Sequence, residues 1–275
     1  MHSTVVYRYE SIPIMESMST LLDFDITSTD WNGPHEMIRC KRALHPSVMK
    51  PMSYSLNPYS GCEHGCIYCY APGHTHSDIS TWRVVRVKTN IVDRLAKEID
   101  NTEGMIGIGT VTDPYQAAEG RFMLTRMCLE LLHRKRRSVF IITKSSLVTR
   151  DIDILSDMDA AVAVTVTNPD DRISRMTEPG APLPGERLKA VKELVDNGID
   201  TMVFIAPVLS TLEGREDELM RRIADTGVRK VYIDLLNVRA TDTTRMDRMG
   251  ITSSTKAEKR LLELNSLSMR IERSM

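Results

Sequence analysis

The sequence predicts a parallel α/β fold of six strand–helix units: an open, partial (β/α)6 barrel of the TIM type, with a doubly wound open sheet as the alternative. Three observations predict it. Short β-rich runs recur at residues 54–57, 105–110, 139–143, 160–167, 201–206 and 230–235. Helical patterns fill the gaps between them. Several runs are apolar at nearly every position (Val139-Phe140-Ile141-Ile142; Met202-Val203-Phe204-Ile205), as suits parallel strands covered on one or both faces. Such alternation implies right-handed crossovers, and six units fall short of the eight that close a standard barrel. In either architecture the chemistry belongs at the C-terminal strand ends.

In chain order, residues 1–50 lack clear periodicity and read as an irregular extension. The regular core spans 51–240, with a helical segment expected over 241–275. Asn90 is placed to cap a helix that carries Ile91, Leu95 and Ile99 on one face. Leu124, Cys128 and Leu131 share a face of the next. Leu188, Val191, Leu194 and Val195 mark a third, stopped by Asn197-Gly198. Leu261, Leu264 and Ile271 suit a final helix.

Thirty-six basic and 37 acidic residues leave a net charge of −1 over 275 residues. That balance removes any chain-wide electrostatic case for nucleic acid or an anionic membrane. No apolar run reaches membrane-spanning length and the start carries no signal-peptide pattern, so the expectation is the cytoplasm, with no membrane partner. The five cysteines are an odd number, and three crowd into eight residues. In a reducing compartment that clustering points to metal or catalysis rather than disulfides.

The cluster lies in Asn57-Pro-Tyr-Ser-Gly-Cys62-Glu-His-Gly-Cys66-Ile-Tyr-Cys69-Tyr70, directly after the first strand. Gly61 and Gly65 allow tight turns with positive φ, which a loop wrapped round a metal group needs. Three thiolates from CxxxCxxC supply three of the four protein ligands that a 4Fe-4S cluster usually takes, leaving one iron open to an outside ligand. A zinc site is the rival: His64, His74 or His76 is near enough in sequence to complete a tetrahedron. Cys40 is a weak candidate for a fourth ligand, and Cys128 sits on an apolar helix stripe as a core residue.

The cysteine loop together with the strand ends resembles the radical S-adenosylmethionine (SAM) superfamily, and within it the spore-photoproduct-lyase-like branch. The resembling segments are NPYSGCEHGCIYCYAP (57–72), IGTVTDPYQ (108–116), ITKSSLVTRDIDIL (142–155), TVTNPDDRISRMTEP (165–179) and IAPVL (205–209). The resemblance implies a partial (β/α)6 barrel of the radical SAM type. It also implies a 4Fe-4S cluster on Cys62, Cys66 and Cys69, and cleavage of SAM to a 5′-deoxyadenosyl radical. By the same resemblance, Tyr68 stands where the family packs adenine, and Tyr70 matches a tyrosine of a radical relay. Gly107, Gly109 and Thr110 end the strand that binds the methionyl amino group, although no GGE stands there. Thr112 matches a hydroxyl near SAM, and Lys144 matches a lysine on its carboxylate or ribose. Thr165 and Thr167 face the barrel interior toward the ribose, and Pro207 belongs to the motif flanking adenine. Asp113, Glu119, Asp234 and Asn237 are secondary candidates for the site.

The departures bear on the reaction. Residues 104–117 hold no cysteine, so the thiol hydrogen donor of the lyases has no counterpart at the second strand end. No second cysteine cluster is present either, which disfavours chemistry that needs an auxiliary iron–sulfur centre. The substrate is unidentified, and a nucleic acid rests on family analogy alone. An electron donor such as ferredoxin or flavodoxin is expected. The basic run 133–137 ends a helix, where cations complement the dipole. Arg172, Arg175 and Arg187 are further basic positions. The second reading of the chain is a non-catalytic, zinc-binding interaction protein.

Overall fold

A computed structural model describes residues 35–264 and the strand Arg270–Arg273. Most of the irregular extension expected over residues 1–50 therefore lies outside the described residues. The chain begins with β1 (Glu36–Ile38), β2 (Leu44–Pro46), β3 (Tyr54–Leu56), β4 (Tyr59–Ser60), α1 (Ala71–His74), β5 (Arg86–Lys88) and α2 (Ile91–Glu98). It continues through β6 (Ile106–Ile108), α3 (Ala117–Phe122), α4 (Leu124–Arg134), β7 (Val139–Thr143), α5 (Ile152–Leu155) and β8 (Ala160–Thr165). Then follow α6 (Asp171–Thr177), α7 (Pro184–Asp196), β9 (Asp200–Ile205), α8 (Glu216–Ala224) and β10 (Lys230–Ile233). The last elements are α9 (Thr244–Arg248), α10 (Thr255–Glu263) and β11 (Arg270–Arg273).

The main sheet runs β11-β10-β9-β8-β7-β6-β3-β2. Its six central strands, β3 and β6 to β10, are parallel neighbours in chain order and coincide with the six predicted runs. The sheet does not close. A seventh parallel strand, β11, extends one edge, and β2 pairs antiparallel with β3 at the other. The protein is thus an open, partial barrel.

The pleat sorts each strand into two faces. On the outer face Ile106, Ile108, Val139, Ile141, Val162, Val164, Val203, Ile205 and Val231 are fully buried. Helical Leu95, Leu129, Leu132, Val191, Leu194, Leu219 and Ile223 supply equally buried partners, each worth roughly 1.5–3 kcal/mol of hydrophobic stabilisation. The inner face carries Met52, Phe140, Ala163 and Met202, with half-buried Ile142, Phe204 and Tyr232 packed against them. The register sets Thr165 beside Phe204 and Phe204 beside Tyr232, so Thr165 lies at the C-terminal rim of that inner face.

A second, three-stranded sheet, β1-β5-β4, stands next to the cysteine loop. β4 leads straight into it, and β5 receives the chain after it.

Two local expectations fail. The final helix stops at Glu263, and Ile271 lies on β11, where pairing with β10 outweighs the apolar spacing that suggested one helix. Asn90 stands at the N-cap of α2 but makes no cap bond. Its amide instead brackets Cys40, accepting from Cys40 N at 2.8 Å and donating to Cys40 O at 3.0 Å. No described helix is long and apolar enough to cross a membrane.

Candidate active site

The cysteine loop hangs over the C-terminal rim of the barrel on bonds to three different segments. Cys62 N donates to Trp82 O at 2.9 Å, and Ile67 N donates to Thr177 O at 2.9 Å. Gly180 N donates to His64 O at 2.9 Å. From the loop after β6, Thr112 Oγ1 donates to Gly61 O at 2.5 Å, and Gln116 Oε1 accepts from Glu63 N at 2.8 Å. Gly61 and Gly65 do adopt positive φ, +84° and +60°. All three thiols are free. Burial pushes Cys62 and Cys69 up and lifts Cys66 to about 12. Among the groups opposing that rise, Lys144 acts on Cys66 and Cys69, and the Trp82 indole on Cys69. Thiols raised in this way are costly to ionise without a cation to receive the thiolates.

Asp113 is the hub of the second and third strand ends. It accepts from Thr143 Oγ1 at 2.7 Å, from Lys144 N at 2.7 Å and from Tyr115 N at 2.9 Å. Its Oδ2 also lies 3.3 Å from His64 Nδ1 in the cysteine loop, and burial lowers that histidine despite the carboxylate. Thr110 accepts from Asn57 Nδ2 at 3.1 Å, and its carbonyl accepts from the Tyr70 hydroxyl. Burial raises Tyr70 to about 12. Gly109 has φ +90°, and a Cβ there would strike Ile142 O and the Pro114 ring. Only glycine fits that crossing. At Gly107 the space a Cβ would need is filled by Met52.

Lys144 Nζ lies 5.5 Å from the Tyr68 ring centroid, a cation–π placement. Burial alone would lower this ammonium, but Cys66 and Glu178 beside it raise it above the ordinary lysine range. The Tyr68 hydroxyl donates to Glu178, which also accepts from Thr167 Oγ1 at 2.9 Å and pairs with Arg187 at 2.5 Å. Arg187 is fully buried, and it donates to Thr165 O at 3.1 Å and Pro182 O at 2.7 Å.

The structure thus gathers Cys62, Cys66, Cys69, Tyr68, Tyr70, Thr110, Thr112, Lys144 and Thr165 into one rim network. Pro207 is buried after β9, two strands beyond β7. Asp234 and Asn237 are exposed. Glu119 is buried away from the loop, bound by Tyr59, Thr125 N and Arg150. Arg187 is not a surface cation, because Glu178 takes its charge into the interior. Sequence spacing missed Glu178 and Trp82. Glu178 stands 110 residues from Tyr68, and its single signal was its place in the fourth resembling segment. Cys128 is fully buried on α4, as the apolar stripe implied.

This is a parallel partial barrel with a three-cysteine loop on its C-terminal rim. Residues 56–223 match the family model described as the radical SAM superfamily, and the chain belongs to that superfamily. An uncharacterised Mycobacterium tuberculosis protein is 33% identical over 223 residues, 74% of this chain and 65% of that one. An uncharacterised Methanocaldococcus jannaschii protein is 32% identical over 180 residues, 64% of this chain and 68% of that one. The chain spans about 65% of the length of the mycobacterial relatives it matches. Among solved structures, spore photoproduct lyase complexed with dinucleoside spore photoproduct aligns at TM-score 0.61 and 16% identity, covering 87% of this chain and 81% of the lyase. Streptococcus suis SuiB bound to precursor peptide SuiA aligns at TM-score 0.57 and 12% identity, covering 80% and 48%. At these identities the likeness concerns the fold.

Proposed function

We propose that the chain binds one 4Fe-4S cluster through Cys62, Cys66 and Cys69 and uses SAM bound beside it to start radical chemistry on a substrate. One observation carries the reading: the three-cysteine loop is fastened onto the strand ends, with Cys66 and Cys69 within the field of Lys144. The donor set fits such a cluster. A cluster takes one thiolate per iron, and the three sulfurs come from one loop that turns with positive φ at Gly61 and Gly65. When bound, the reduced cluster supplies the electron that splits a carbon–sulfur bond of SAM and frees a 5′-deoxyadenosyl radical.

The protein's own part is positioning. Lys144 offers its ammonium to the SAM carboxylate or ribose, and Asp113 holds the Lys144 backbone in place. Tyr68, fixed by Glu178, offers its ring to adenine, and Pro207 belongs to the strand-end motif that flanks it. Gly107, Gly109 and Thr110 present the end of β6 to the methionyl amino group, while Thr112 holds the cysteine loop down. Thr165 offers its hydroxyl to the ribose. Tyr70 keeps its proton and, set on Thr110, serves as the relay to substrate. An electron carrier of the ferredoxin or flavodoxin type, in a reducing cytoplasm, would feed the cluster. Beyond the three loop thiols, the described cysteines lie off the rim, so no thiol donor enters the proposal.

Protein purified without oxygen should be brown and hold about four irons per chain. With dithionite and SAM it should release 5′-deoxyadenosine, and Cys66→Ala should abolish both properties. Colourless protein carrying one tight zinc would overturn the reading in favour of a zinc-binding interaction protein.

A further inference from the structure

Trp82 is the one buried residue between Gly73 and Val84, a stretch otherwise exposed or half-buried. Its side chain reaches the cysteine loop, where it packs with Cys62 and Ala71, and Cys69 and Val111 lie against them. Its backbone is locked there as well, since its carbonyl takes the Cys62 N–H at 2.9 Å. The indole nitrogen is fully enclosed and has no hydrogen-bond partner among the described residues. Leaving a buried N–H unpaired costs about 1–3 kcal/mol, and buried tryptophans normally place that proton on an acceptor. The side chains packed with Trp82 offer sulfur from Cys62 and Cys69 and carbon from Ala71 and Val111.

We propose that the Trp82 Nε1–H is a hydrogen-bond donor reserved for the Cys69 thiolate of the cluster-loaded protein, and that it sets the cluster's reduction potential. The inference rests on the cluster assigned above. Reduction adds negative charge to the cluster, and a donor aimed at a ligand sulfur stabilises the more negative state, so it raises the potential. Trp82 is here a positioning and tuning residue; it transfers no electron and touches no substrate. Its placement makes the cluster easier to reduce by a biological carrier than a bare, buried cluster would be.

The test is a potentiometric titration of the anaerobically reconstituted protein, followed by the electron-spin resonance of the reduced cluster. Two variants are compared with the wild type: Trp82→Phe, and replacement of Trp82 by its benzothiophene isostere, which keeps the ring shape and lacks the N–H. Both should retain the wild-type iron content. At a fixed applied potential, the ratio of reduced to oxidised cluster should fall about tenfold, equivalent to about 59 mV for a one-electron couple. An exchangeable-proton coupling seen in the wild type should also vanish in both. An unchanged potential in the iron-loaded isostere would overturn the proposal while leaving the cluster intact. A wild-type chain that takes up no iron would overturn the cluster reading itself.

Discussion

Glu178 shows how a single buried residue sets the charge of this site. Burial by itself would raise its carboxyl, but the Arg187 guanidinium and the Lys144 ammonium outweigh that and pull it down to about 2. An unfolded glutamate titrates near about 4.3. A group whose folded value is depressed adds stability above its unfolded value, and loses it as pH falls toward the folded one. Glu178→Gln leaves Arg187 charged, buried and unpaired, a change that typically costs about 3–5 kcal/mol. In urea titrations at neutral pH the variant should therefore be less stable than the wild type by roughly that amount. Between about pH 4.5 and about pH 2 the gap should close, because the unfolded wild-type glutamate takes up a proton there while the folded carboxylate stays ionised until about pH 2. A gap that stays constant down to pH 2 would show that the Arg187 pairing is not what depresses Glu178.

At the scale of elements, the turn that ends β6 carries more of the site than its length suggests. Gly109, Thr110, Thr112 and Asp113 follow one another along it, and each fastens a different neighbour. Gly109 and Gly198 both hold positive φ, +90° and +76°, but nothing lies within 4 Å of a Cβ added at Gly198. Gly198→Ala should cost about 1 kcal/mol, the penalty of the left-handed backbone alone. Gly109→Ala must also push aside the Ile142 carbonyl and Pro114, and should cost about 3 kcal/mol or more in urea unfolding. It should lower the iron loading of the cysteine loop as well, since Thr112 holds that loop. Equal costs in the two variants would deny the turn its special fit. Both glycines were visible in the sequence, one as a helix stop and one as a strand end beside the resembling TDPYQ segment. Their difference was not, because it depends on a strand 33 residues further along. The same reason hid Glu178 behind Tyr68, and it turned the stripe through Ile271 into a false helix. Spacing reports what a residue can do locally, whereas partners across the barrel depend on tertiary packing.

At the scale of the whole molecule, the six parallel strands were legible because their outer faces are apolar in a pattern that only a covered parallel sheet satisfies. That apolar layer also determines what holds the protein together. The fully buried residues of the outer face and its helices lie on the face of the sheet turned away from the barrel interior, and none of them contributes a ligand. The cysteine loop is attached to this body by hydrogen bonds to Trp82, Thr112, Gln116, Thr177 and Gly180 and by two small apolar clusters, Ile67 and Tyr68 with Leu209, Met246 and Ile251, and Cys62 and Ala71 with Trp82. The fold therefore does not need the cluster as a staple, unlike small domains that are unfolded without their metal. Removing iron with a chelator under anaerobic conditions should leave the far-ultraviolet circular dichroism and a cooperative unfolding transition in place. Amide hydrogen exchange should speed up in residues 57–75 and around Trp82, with β7 to β9 as protected as before. Loss of protection in those central strands would mean that the cluster stabilises the barrel and not only its rim. The distinction matters for the proposed function, because a body that folds without iron would already hold Cys66 and Cys69 beside Lys144 when a cluster is loaded.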